Sequence, residues 1–120
     1  MSDLHMDLKV VNALRDVMEG GFADLLDTFL NDSEERLGQL HNVQNPSDLT
    51  RVAHSFKGSS SNMGAIRLAR LCGELEERAL KHPLEDFDAL VIQIDVEYQR
   101  VRVLYRAERL RCEAHHVTTP

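Results

Sequence analysis

Residues 22–40 read FADLLDTFLNDSEERLGQL, and within them Phe22, Leu25, Leu26, Phe29, Leu30, Leu37 and Leu40 recur at intervals of three and four. That spacing winds apolar side chains onto one face of a helix; a strand, whose faces alternate every second residue, cannot use it. The same rhythm extends to both sides. Upstream, Leu8, Val11, Leu14 and Met18 form a weaker stripe that predicts a short capping helix over about Asp7 to Met18. Downstream, Asn45-Pro46 with Asp48 is a helix start: Asn accepts from a free amide, Pro suits the first turn, and Asp faces the positive dipole end. The third helix therefore begins near Pro46, with Leu49, Val52, Ala53, Phe56, Ser60 and Met63 on its core face. A fourth, from about Ala65 to Lys81, buries Leu68, Ala69, Cys72, Leu75 and Ala79 and stops at a basic pair before Pro83. The fifth begins acidic at Glu85-Asp86, repeats Phe87, Leu90, Val91, Ile94, Tyr98, Val101 and Tyr105, and ends among Arg106, Arg109 and Arg111. Short connections make neighbouring helices antiparallel, so the expected fold is all-α: an antiparallel four-helix bundle with a short N-terminal capping helix and an extended C-terminal helix. Residues 1–6 are expected as a flexible leader, 7–111 as the bundle and 112–120 as a flexible tail.

Composition narrows the function. The chain has 120 residues, 42% apolar and 28% charged, which fits one compact domain. Aromatics make up 5% and Trp is absent while Leu occurs 17 times, so the core is aliphatic. A net charge of −6, with Lys and Arg scattered until the C-terminal end, leaves no electrostatic footprint for nucleic acid. Met1 to Asp7 carries two aspartates and no apolar core of a secretory signal, and the longest apolar run, Ala89 to Ile92, is far too short to cross a bilayer. The expected location is the cytoplasm, and there Cys72 and Cys112, which form no CxxC pair, are expected as free thiols, one core and one peripheral. No HExxH is present, and Cys112-Glu113-Ala114-His115-His116 lies in the expected tail, so no metal site is expected.

The chemistry lies on the third helix. At about 100° per residue His54 points away from the core face, and Lys57, Gly58 and Ser61 follow on the same outward arc at three, four and seven residues. An imidazole, a cation and a hole thus share one patch. Glycine inside a helix costs about 1 kcal/mol relative to Ala, which suggests a need for close approach at Gly58. The alternative is that the helix ends at Lys57 and Gly58-Ser59-Ser60-Ser61-Asn62 is a loop.

The run His54-Ser55-Phe56-Lys57-Gly58-Ser59-Ser60-Ser61-Asn62-Met63-Gly64-Ala65, followed by Leu68, Leu71, Cys72 and Leu75-Glu76, resembles the signature of the histidine phosphotransfer (HPt) domain of bacterial phosphorelays. The resemblance is specific in residue type and spacing and is strongest from about Leu49 to Ala79. It implies that the segment stays helical beyond Gly58, which closes the alternative above. It implies His54 as phosphoryl acceptor, Lys57 beside the phosphoryl group, and Gly58 as room for a partner, with Ser61, Ser55 and Arg51 around it on a receiver-docking face. It also implies, for Glu76, 22 residues after the histidine, a carboxylate that orients the imidazole. The corresponding function is that of a stand-alone phosphohistidine carrier, monomeric, taking its phosphoryl group from the receiver domain of a hybrid sensor histidine kinase and passing it to the receiver domain of a response regulator. Those receivers bring the Mg²⁺, and no cofactor is expected on this chain. No Walker or kinase Gly-rich loop is present, so no ATP-dependent kinase activity is expected. The competing function is a helical adaptor that binds a signalling partner without phosphorylation.

Overall fold

The computed structural model describes residues 5–43, 45–82 and 86–118, with side chains through 112. Five α-helices account for almost all of it: α1 (Leu8–Met18), α2 (Phe22–Asn42), α3 (Pro46–Asn62), α4 (Ile66–Lys81) and α5 (Asp88–Thr118), with a single 3₁₀ turn (Glu19–Gly21) between α1 and α2. Helices α2 to α5 close a ring in chain order, each packed against its two neighbours, so α5 lies diagonal to α3; α1 caps the ring beside α2. No helix is long and apolar enough to cross a membrane among the described residues.

The helix starts follow the local chemistry. Asn45 Oδ1 accepts from the Asp48 amide at 2.8 Å at the head of α3, with Pro46 in the first turn. Asp7 Oδ1 accepts from the Lys9 amide at 3.0 Å at the head of α1. Asp86 Oδ1 accepts from the Asp88 amide at 3.0 Å, so α5 starts at Asp88, two residues after the expected acidic pair, and Glu85 lies outside the described residues. Helix α3 runs through Gly58 to Asn62. Its turn into α4 is built on Gly64, whose φ of +80° suits glycine, and a Cβ there would stand 3.1 Å from Val10 Cβ and 3.2 Å from the Asp7 carbonyl oxygen. Two further contacts clamp that turn: the Asp7 amide donates to the Gly64 carbonyl at 2.7 Å, and the Tyr105 hydroxyl to the Met63 carbonyl at 2.6 Å.

The core is mainly aliphatic, with Leu26, Leu68, Leu75 and Ile94 fully buried around Phe56. On α4, Leu71 is buried as well, whereas Ala69 is only half-buried. Tyr98 and Tyr105 are the largest buried side chains; Tyr105 spends its hydroxyl on the Met63 carbonyl, and Tyr98 has its own between Glu34 Oε2 at 2.9 Å and the Leu30 carbonyl at 3.1 Å. Two carboxylates are buried on α5, each with cations around it. Glu97 accepts from His5 Nδ1 at 2.7 Å and faces Arg67, while Glu108 holds Arg15 and accepts from Arg111 Nη1 at 2.9 Å.

Three expectations are corrected. The stripe on α1 contributes only Val11 to the core, with Leu14 half-buried and Leu8 and Met18 exposed, because an 11-residue helix at the edge of the ring turns only one narrow side to it. The leader is not loose throughout: His5 is tied to Glu97 and Met6 is buried; residues 1–4 lie outside the described residues. Nor does the fifth helix stop at Arg111. Helix α5 continues to Thr118, since no Gly or Pro occurs before Pro120 and a formed helix propagates readily through residues such as Glu113 and Ala114.

Candidate functional site

The middle of α3 presents His54 to solvent, its side chain 69% exposed, while Phe56 and Ala53 beside it are fully buried. The helix phase set by the core face therefore fixes where the imidazole points. Across the groove, α4 brings up Glu76. Its Oε2 accepts from His54 Nδ1 at 2.6 Å and its Oε1 from Lys57 Nζ at 2.8 Å, so one carboxylate holds both α3 side chains. The Lys57 ammonium, helped by the His54 hydrogen bond, holds the Glu76 carboxyl below its ordinary 4.5. It is an acceptor only at neutral pH. Nδ1 must then carry the proton, and the neutral ring keeps its lone pair on Nε2, the nitrogen with no hydrogen bond among the described residues.

The neighbouring glutamates on α4 do not compete. Glu74 pairs with Arg78 at 3.0 Å and Glu77 with Lys81 at 3.7 Å, each one turn along the same helix. Gly58 lies one turn from His54, and a Cβ there would meet nothing within 4 Å. Gly38 on α2 also faces open space, so a tolerated glycine is not rare here; position beside the imidazole singles out Gly58. Ser61 is exposed one turn further on the same arc. Ser55 and Arg51 are exposed but turned to other partners: Ser55 Oγ accepts from Arg36 Nε of α2 at 3.0 Å, and Arg51 pairs with Asp48 at 3.5 Å. The structure thus brings together His54, Lys57 and Glu76, with Gly58 and Ser61 alongside, and sets Ser55 and Arg51 at the margin.

Two neighbours of the site escaped the sequence reading. Gly73 on α4 lies under the Lys57 stem, where a Cβ would stand 3.1 Å from Lys57 Cδ; a glycine inside the expected fourth helix was the available signal. Arg36, which reaches Ser55 from α2, left no signal, because its place depends on how α2 packs on α3. Among the described residues no group of three or more His, Cys, Asp or Glu could hold a metal ion, and the side chains of His115 and His116 lie outside them.

With His54 and Lys57 open to solvent, these contacts add little to folding, since solvent-exposed ion pairs are worth about 0–1 kcal/mol. What it offers is a nucleophilic nitrogen of fixed tautomer beside a cation. The sequence profile described as Hpt domain matches residues 24–103. The crystal structure of histidine-containing phosphotransfer protein B (HptB) from Pseudomonas aeruginosa PAO1 aligns with a TM-score of 0.85 and 46% sequence identity, covering 92% of this chain and 98% of that one. No curated protein sequence matches the chain.

Proposed function

The chain belongs to the Hpt domain family and is a histidine phosphotransfer protein of a phosphorelay; from that premise we propose that His54 accepts a phosphoryl group from the aspartyl phosphate of one receiver domain and hands it to the aspartate of another. The observation that carries this reading is the 2.6 Å contact between Nδ1 of an exposed His54 and Glu76, which leaves Nε2 to act. The Nε2 lone pair attacks phosphorus, the P–N bond forms, and the acyl phosphate P–O bond breaks to release the donor carboxylate. The Nδ1 proton stays on the ring, hydrogen-bonded to Glu76, so the positive charge that develops on the imidazole faces a carboxylate. Lys57, one turn along α3, supplies positive charge for the phosphoryl oxygens. The return step is the reverse: an acceptor carboxylate attacks phosphorus and the P–N bond breaks.

In this reading Mg²⁺ comes with the receivers, and the chain contributes a nucleophile, a cation and a docking face around Gly58 and Ser61, with Ser55 and Arg51 at its edge. The donor belongs to a hybrid sensor histidine kinase and the acceptor to a response regulator, both in the cytoplasm. The chain has no ATP-dependent kinase activity of its own. The test is incubation with a labelled receiver-domain aspartyl phosphate. An acid-labile, base-stable label on the wild type, absent from a folded His54→Gln variant, is the expected result. Retained label in that variant would remove His54 from the mechanism, and self-labelling with ATP and Mg²⁺ alone would reveal a kinase activity.

A further inference from the structure

Helix α5 is apolar on two sides. Its inner side, with Leu90, Val91, Ile94, Tyr98, Val101 and Tyr105, is buried in the ring. Its outer side carries Ile92, Val96, Val103 and Leu110, which are 57%, 49%, 67% and 63% exposed, joined by exposed Ala89 and Ala107. At about 100° per residue these six fall within a strip about 60° wide and about 32 Å long. Ala89, Val96, Val103 and Leu110 follow one another at heptad spacing, the repeat that seats one helix along another. No described residue of the chain covers the strip.

We infer that this strip is an antiparallel interface with a second copy of the chain. The order of its residues points to that occupant. About a midpoint between Gln99 and Arg100, Val96 stands opposite Val103, Ile92 opposite Ala107, and Ala89 opposite Leu110. An isologous contact across a two-fold axis requires such a match of a surface with itself, and here each large residue at the ends meets a small one. Charge selects the direction. Exposed Asp88 precedes the midpoint and exposed Arg106 and Arg111 follow it, while Arg100 stands at the midpoint, level with its own copy in either direction. Antiparallel packing sets Asp88 opposite Arg111 and Arg106 opposite Gln93, whereas parallel packing would align the arginines of the two copies. Because α5 is diagonal to α3, the interface leaves both His54 side chains on outer faces, free to meet a receiver. This departs from the monomer expected from the sequence, and it stands apart from the phosphoryl-transfer reading.

The test is sedimentation equilibrium of the full chain over a range of concentrations. The wild type should rise from 13.7 kDa to twice that mass, and Val103→Glu should stay at the lower mass with an unchanged helical spectrum. Direction is read by cross-linking in a Cys112→Ser background. Val96→Cys mixed with Val103→Cys should form an intermolecular disulfide on oxidation, while each variant alone should not, because its own pair would be about 10 Å apart along the axis, beyond disulfide reach. A wild type that stays at 13.7 kDa up to its solubility limit overturns the proposal. So does preferential cross-linking of Val96→Cys with itself, the signature of parallel packing.

Discussion

The residue scale turns on Glu76, which holds the His54 imidazole with one oxygen and the Lys57 ammonium with the other. Glu76→Gln keeps an oxygen that can accept from Nδ1 but loses the charge, and Glu76→Ala loses both. Transfer rates measured with a phosphorylated receiver should fall in that order, wild type above Gln above Ala, with the helical spectrum retained throughout. Equal rates in all three would return Glu76 to the surface glutamates. The pH dependence follows from its lowered pKa. The contacts to Lys57 and His54 are favourable while the carboxyl is ionised, so their contribution is present above 4.5 and is lost as pH falls through the lower folded value. A ¹³C titration of the Glu76 carboxyl should therefore show its midpoint below 4.5 and, in Lys57→Ala, a midpoint moved upward. Gly58 separates folding from docking. Gly58→Ala fills open space and should stabilise the helix by about 1 kcal/mol, while Gly58→Gln should keep the fold and slow transfer by obstructing the receiver. Undiminished transfer by Gly58→Gln would show that the partner does not approach there. His54, Lys57 and Gly58 were visible in the sequence as one outward arc; Glu76 came only through the family resemblance, since spacing cannot show which of three α4 glutamates crosses the groove.

Among the elements, the α3–α4 turn is built on Gly64, and its fastening could not be read from the sequence. Asp7 and Tyr105 reach it from opposite ends of the chain, and contacts so distant in sequence leave no local pattern. Two substitutions probe it. Gly64→Ala forces a Cβ into a left-handed backbone and against Val10 and Asp7, and the strain of such a backbone is of order 1–3 kcal/mol. Tyr105→Phe removes the donor to the Met63 carbonyl and leaves that oxygen unpartnered in a buried place, a loss of about 1–3 kcal/mol. Urea titrations should show both as lowered midpoints with unchanged slopes, and a Tyr105→Phe protein as stable as wild type would show the hydroxyl to be idle. The helix cores were legible because a face of α2, α3 or α4 meets the bundle along its whole length. The ends of α5 were not: its start is fixed by the Asp86 side chain and its length by the lack of a breaker, whereas the stripe that reveals α5 stops at Tyr105.

For the whole molecule, the question is whether the ring of four helices opens in parts or all at once, and the two thiols can answer it. Cys72 is fully buried on α4, in the contact layer with Leu68 and Leu75, and burial pushes its thiol up to about 12. It is unreactive on two counts, since alkylation needs both access and the thiolate. Cys112 is half-buried near the far end of α5, beyond the last fully buried tyrosine. A single cooperative core makes these sites report different events. Native protein treated with an alkylating reagent should modify Cys112 alone; Cys72 should become reactive across the same urea range in which the helical spectrum is lost, as two-state unfolding requires. Labelling of Cys72 at urea concentrations that leave the spectrum intact would mean that α4 detaches from the ring by itself. Since α4 carries Glu76, such local opening would also release His54 from its hydrogen bond, and transfer should then fall before the helices melt. Coincident loss of labelling protection, helical signal and transfer is the outcome that a fold sharing one core between four helices demands.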